Sequence, residues 1–201
     1  MENWSFRSAD FISVPIAGAV PAYHPGLHSK IRVIPQGFKF KELSSIELCE
    51  DKISPCFAYS GNFIFGFRDP RSLLEYLLGL KLDYRFYIFT KHGEMIRSYV
   101  EKSNGRIIIK DYVPRDTLIS YLKSVDFLIN IDNNTDLQSP SKLIDYIQTG
   151  RPVLNIESEL DTVKIDAFLK GDYSKGMELP DLAYYRIENV ARKFMDLKLE
   201  N

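Results

Sequence analysis

Five short apolar runs recur between Cys56 and Ile156, each separated from the next by a polar or amphipathic stretch. Residues 56–59, 84–89, 106–109, 127–131 and 153–156 read as strands. The run at 127–131 shows none of the in–out alternation of a half-solvated strand, as expected where both sheet faces are covered. Between the runs, Asp69-Pro70 opens a helix whose Leu73, Leu74, Leu77 and Leu78 form one stripe at helical spacing. A second helix is expected at 94–102. Pro114-Arg115-Asp116 starts a third, with Leu118 and Leu122 inward. Strand and helix alternating at this interval imply an α/β fold, a doubly wound, Rossmann-like parallel sheet.

Ligands of such sheets bind at the carboxyl ends of the strands. The segment expected to reach that edge after the fourth strand is the most specific in the chain. Ser139 is a good N-cap, Pro140 suits the first helical position, and Ser141 and Lys142 follow where bare amides and the helix dipole favour an anion. Gly150 ends the helix and Arg151-Pro152-Val153-Leu154 leads into the fifth strand. A hydroxyl, a cation and free N–H groups at one helix start make a phosphate site. Plain capping with a solvated lysine is the alternative.

The remaining sequence sets bounds. At 201 residues the chain is long enough for one sizeable core with an appended piece. A net charge of −1 leaves no electrostatic footprint for nucleic acid or an anionic membrane. No apolar run approaches the ~20 residues that span a bilayer, and no export signal is visible at the start. The two cysteines, Cys49 and Cys56, read as ordinary thiols of a reduced, cytoplasmic protein. No further cysteine or histidine lies near them in sequence to complete a metal set.

The ends do not follow the alternating pattern. Residues 9–14 and 31–34 look like strands, with a weak helix from Pro15 to Tyr23 between them, and a polar linker follows at 38–54. The expected division is 1–37 as the tail of a preceding domain with its linker, 38–54 as linker, 55–180 as the sheet domain and 181–201 as a C-terminal helix. That helix, from Tyr184 to Leu199, carries Ile187, Val190, Ala191 and Phe194 on one side, an apolar face in need of a partner.

Several of these pieces, in this order, resemble the C-terminal, donor-binding half of GT-B glycosyltransferases of the bacterial surface-polysaccharide type. Ile34-Pro35-Gln36-Gly37-Phe38 is similar to the interdomain linker, and Tyr59-Ser60-Gly61 to the opening glycine turn. Tyr112-Val113-Pro114 is similar to the loop beside the base. Ser139-Pro140-Ser141-Lys142 through Gly150-Arg151-Pro152-Val153 is similar to the donor-diphosphate segment. The resemblance implies a nucleotide-sugar donor, hexosyl transfer, and no cofactor or metal. It also implies an acceptor-binding N-terminal domain in the same or another chain, through which the protein could lie peripheral to the inner membrane.

The same resemblance assigns roles. Lys142 and Arg68 are the expected cations for the leaving diphosphate, with Lys91 a weaker candidate. Gly61, Asn62, Ser139, Pro140 and Ser141 would contact the donor, Tyr112 and Val113 its base, and Asp145 the ribose hydroxyls. Retaining members commonly carry two glutamates here. Asp145 stands at the second position with a shorter reach, and the first falls on Leu137, which cannot hydrogen-bond a sugar; Asp136 is its nearest carboxylate. Each role has a bland counterpart: a turn glycine, a surface arginine, a strand-end contact, or an Asp145 paired with a lysine. His24, His28 and His92 are assigned no catalytic role. The alternative functions are a non-catalytic nucleotide-sugar-binding or partner module and one half of a nucleotide-sugar epimerase.

Overall fold

A computed structural model describes residues 2–49, 55–132 and 142–199. They fall into two compact units. Residues 2–41, 142–144 and 180–199 belong to the first; residues 42–49, 55–132 and 145–179 belong to the second.

The first unit begins with helix α1 (Glu2–Ser8) and strands β1 (Ile12–Val14) and β2 (Ile31–Val33), which pair in parallel with Ile12 opposite Ile31 and Val14 opposite Val33. The weak helix expected from Pro15 to Tyr23 is a 3-10 helix at Ala17–Ala22, followed by another at Pro25–Lys30. Pro21, inside the first of them, denies the chain an amide that a regular α-helix would use. Ile12, Val14 and Ile31 form a small core against Phe6, Tyr23 and Leu27.

The second unit holds the expected sheet. Its elements run β3 (Cys56–Ser60), α2 (Arg71–Gly79), β4 (Arg85–Phe89), α3 (Arg97–Lys102), β5 (Ile107–Lys110), α4 (Arg115–Leu122), β6 (Phe127–Ile131), α5 (Lys142–Thr149), β7 (Val153–Ile156) and α6 (Thr162–Leu169). The strands lie in the order β5-β4-β3-β6-β7 and all pair in parallel. Leu73, Leu74 and Leu77 of α2, with Ile165 and Phe168 of α6, are buried in one core with alternate residues of the strands. At its centre Phe57 stacks between Phe86 and Phe127, each with ring centroids 4.7 Å away. On α4 the deeply buried positions are Ile119 and Leu122, with Leu118 only half-buried. Tyr121 of the same helix stacks on Phe89.

The two cysteines are not ordinary thiols: Cys49 and Cys56 form a disulfide, with Cα atoms 6.5 Å apart. The segment preceding Cys49 is extended along α4 and β4, which brings it to the start of β3. Ile46 N–H donates to the Ser120 carbonyl at 2.9 Å, Lys123 Nζ to the Leu43 carbonyl at 2.7 Å, and the Tyr87 hydroxyl to the Leu48 carbonyl at 2.7 Å. Spacing alone did not reveal that these bonds would dock both thiols together.

The C-terminal segment is two helices, α7 (Leu182–Tyr185) and α8 (Ile187–Asp196), rather than one. The break is at Arg186, whose backbone is extended and pairs with Phe38. Phe38 N–H donates to the Tyr185 carbonyl at 2.8 Å, and Ile187 N–H to the Phe38 carbonyl at 2.9 Å. Gly37 suits this crossing, because a Cβ there would crowd Ile187, 2.5 Å from its Cδ1 and 3.2 Å from its Cα. The expected stripe Ile187, Val190, Ala191 and Phe194 lines an apolar groove of about 650 Å³ with Val14, Pro15, Ile34 and Pro35. Among the described residues no helix is long and apolar enough to cross a membrane.

Candidate functional site

Strand order reverses between β3 and β6: the chain proceeds from β3 to β4 and β5 on one side, then returns to β6 and β7 on the other. A crevice opens at such a switch point, beyond the carboxyl ends of the strands. The β3–β6 ladder pairs Phe57 with Phe127 and Ala58 with Leu128. Beyond it, the hydroxyl of Tyr146 on α5 stands between the two strands. It accepts the Ser60 N–H at 2.9 Å and donates to the Ile129 carbonyl at 3.0 Å, while Ser60 Oγ lies 3.4 Å away. Tyr146 is fully buried. Desolvation pushes its phenol up to about 12, against the opposing effect of the Ser60 bonds.

The chain leaves β3 through Gly61, whose φ of 139° is open to glycine and strained for other residues. Gly61 N–H donates to the Phe89 carbonyl at 3.0 Å, which ties the turn to the end of β4. Asn62 extends that tie: its Oδ1 accepts the Lys91 N–H at 3.3 Å, and its carbonyl accepts the Tyr59 hydroxyl at 3.3 Å. Lys91 in turn places Nζ 4.8 Å from the ring centroid of Tyr112, beyond the end of β5. Tyr112 is 72% exposed, an open aromatic face at the rim, and Val113 beside it is half-buried.

Arg68 and Arg71 flank the start of α2 and differ in their commitments. Arg71 pairs with Asp69 at 2.5 Å and lies over the Phe65 ring, and that bond holds the Asp69 carboxyl below the usual carboxylate range. Arg68 is half-buried at the base of a turn in which Ile64 N–H donates to its carbonyl at 3.1 Å. Its charge acts on the Tyr59 phenol, which burial and the neighbouring Tyr146 push well above its ordinary value.

Asp145, in the first turn of α5, pairs with Arg115 rather than with a lysine. Arg115 Nε donates to Asp145 Oδ1 at 2.7 Å, and Arg115 Nη2 approaches the same oxygen at 2.6 Å. Burial raises the carboxyl above its usual value, and the Arg115 bonds and charge oppose the rise. Lys142 is the first residue of α5, three before Asp145 in sequence, and its Nζ is screened from solvent. Ser139, Pro140 and Ser141, with Asp136 and Leu137, lie outside the described residues.

The structure thus gathers Gly61, Asn62, Lys91, Tyr112 and Val113 along one sheet edge, with contacts linking the loops after β3, β4 and β5. Two residues at this edge escaped the sequence reading. Tyr146 looked like any apolar-face aromatic of an amphipathic helix. Arg115 carried a usable signal: a cation in the first turn of a helix opposes the dipole, so its presence calls for a carboxylate partner.

No protein-family model and no curated protein sequence matches the chain. Solved structures match it in fold. WaaB, a lipopolysaccharide outer core galactosyltransferase in its apo form, superimposes with a TM-score of 0.63 at 12% identity, over 96% of this chain and 62% of that one. HepE of Anabaena in complex with UDP gives 0.62 at 8% identity, over 99% and 66%. A glycosyltransferase from Rickettsia africae gives 0.59 at 11% identity, over 95% and 63%. The chain therefore spans about two thirds or less of the length of these structures.

Proposed function

Because the chain has the fold of the donor-binding part of GT-B glycosyltransferases, we propose that it binds the nucleotide diphosphate of an activated sugar for transfer of a hexosyl group. The observation that carries this reading is the reversal of strand order between β3 and β6, where Gly61 turns the chain out of β3 and Tyr146, next to Asp145 on α5, bonds Ser60. Gly61 lets the backbone approach a ligand closely. Tyr112 and Val113 offer an aromatic face and backbone amides to the base. Asp145 accepts from the ribose hydroxyls.

The difficult event in such a transfer is departure of the nucleoside diphosphate. Negative charge grows on the leaving oxygens as the sugar gains oxocarbenium character. Preorganised cations and helix amides stabilise that charge without reorganising. Arg68 and Lys142 are the residues assigned to this work, with the amides at the start of α5. The acceptor and any general base belong to an N-terminal domain in the same or another chain. This chain alone then binds nucleotide and turns over little.

Calorimetry with UDP, GDP and ADP tests the reading directly. Binding to one of the three, weakened by Asp145→Asn, supports it. Absence of binding to all three refutes the donor site.

A further inference from the structure

We propose that Arg115 is a positioning residue, fixing the Asp145 carboxylate so that its second oxygen is presented to the ribose hydroxyls of the bound nucleotide; this rests on the donor-site reading above. The Arg115 guanidinium converges on Oδ1, with a hydrogen bond from Nε at 2.7 Å and an ion-pair contact from Nη2 at 2.6 Å. Among the described residues no hydrogen bond reaches Oδ2, so that oxygen keeps its acceptor capacity. The asymmetry matters because Asp145 is a short side chain on a rigid helix. An aspartate without a partner samples several rotamers, whereas a hydrogen bond and an ion-pair contact from one planar guanidinium hold it in one.

The exposures of the pair fit the same role. The Asp145 side chain is only 17% exposed, while Arg115 is 43% exposed. A carboxylate in that position resists ionisation, and a hydrogen-bonded cation counters the resistance. Arg115 is also poorly explained as a helix stabiliser, because it stands at the dipole's positive end in the first residue of α4. The pair joins the first residue of α4 to the first turn of α5, across 30 residues of chain.

The experiment compares UDP with 2′,3′-dideoxyuridine diphosphate by calorimetry on the full chain and on Arg115→Gln, Arg115→Lys and Asp145→Asn. Charge-assisted hydrogen bonds of this kind correspond to about tenfold or more in affinity. Wild type is expected to prefer UDP by about tenfold. Arg115→Gln should lose most of that preference while still binding both ligands, Asp145→Asn should lose it alike, and Arg115→Lys should restore part of it. A residue that merely stabilised the fold would weaken both ligands equally and leave the preference intact. An undiminished preference in Arg115→Gln, or a wild type that binds UDP without discriminating, overturns the proposal and leaves the donor site standing. Failure of wild type to bind UDP, GDP or ADP instead overturns the donor-site reading and this inference with it. Should Arg115→Gln not fold, an undiminished preference in Asp145→Asn overturns the proposal by itself.

Discussion

Replacing Tyr146 with phenylalanine removes one oxygen from the place where β3 and β6 part. The ring can stay, since it is fully buried and the substitution leaves its volume nearly unchanged. What is lost is the bridge between the Ser60 N–H, 2.9 Å from the hydroxyl, and the Ile129 carbonyl, 3.0 Å from it. A buried donor or acceptor stripped of its partner costs about 1–3 kcal/mol. The Ser60 amide bears most of this, because a carbonyl has a second lone pair for other donors. A total of about 1–3 kcal/mol follows, read as a lowered urea midpoint at unchanged slope. A loss below about 0.5 kcal/mol would refute the account of the switch point.

The same residue makes a prediction in pH. Its folded pKa is raised from 10.0 to about 12. The sign follows from linkage: the neutral phenol is favoured in the native state, so its contribution is complete below pH 10. It is lost as pH rises from there through about 12, by up to a few kcal/mol. Tyr146→Phe should therefore start less stable at pH 7 and lose less between pH 10 and 12. Parallel stability curves for the two proteins would contradict the burial argument.

Other outcomes are open to measurement. Gly37→Ala would push a Cβ to 3.2 Å from Ile187 Cα, and overpacking of this kind costs about 1–3 kcal/mol; faster amide exchange in α8 than in wild type is the expected signature. The Cys49–Cys56 bridge spans 7 residues of sequence, so the chain-entropy relation assigns it about 2.5 kcal/mol. A Cys49→Ser, Cys56→Ser double variant should unfold at correspondingly lower urea, and titration of the native oxidised protein should find no free thiol. Lys142→Ala in a transferase that includes the acceptor-binding part should lower turnover by about a hundredfold; wild-type turnover would remove Lys142 from the leaving-group role.

Much of the sheet domain was legible because its cause is local. A strand covered on both faces must be apolar over four or five consecutive residues, and a helix packed on one side must repeat its leucines at helical spacing. Residues 127–131, apolar but for Asn130, and the stripe Leu73, Leu74, Leu77 come close to those conditions wherever the rest of the chain goes. Gly61 and Tyr112-Val113 were readable for a related reason: strand ends of a parallel sheet share an edge, so their order along the chain fixes their company. The break at Arg186 was not readable. An unbroken amphipathic pattern says nothing of a distant backbone, here Phe38, that claims two of its hydrogen bonds.

From the amino-acid order alone come the alternation of strands and helices, the parallel sheet, and the edge at which a ligand would bind, since each follows from burial periodicity within a short window. Only the tertiary structure decided what stands at that edge. Tyr146 meets Ser60 across 86 residues of chain, and Arg115 meets Asp145 across 30. Hydrogen bonds between residues so far apart depend on where the sheet's crossovers return the chain, and no local pattern records that. The same holds for Cys49 and Cys56, close in sequence but joined because a segment docked on α4 delivers one to the other.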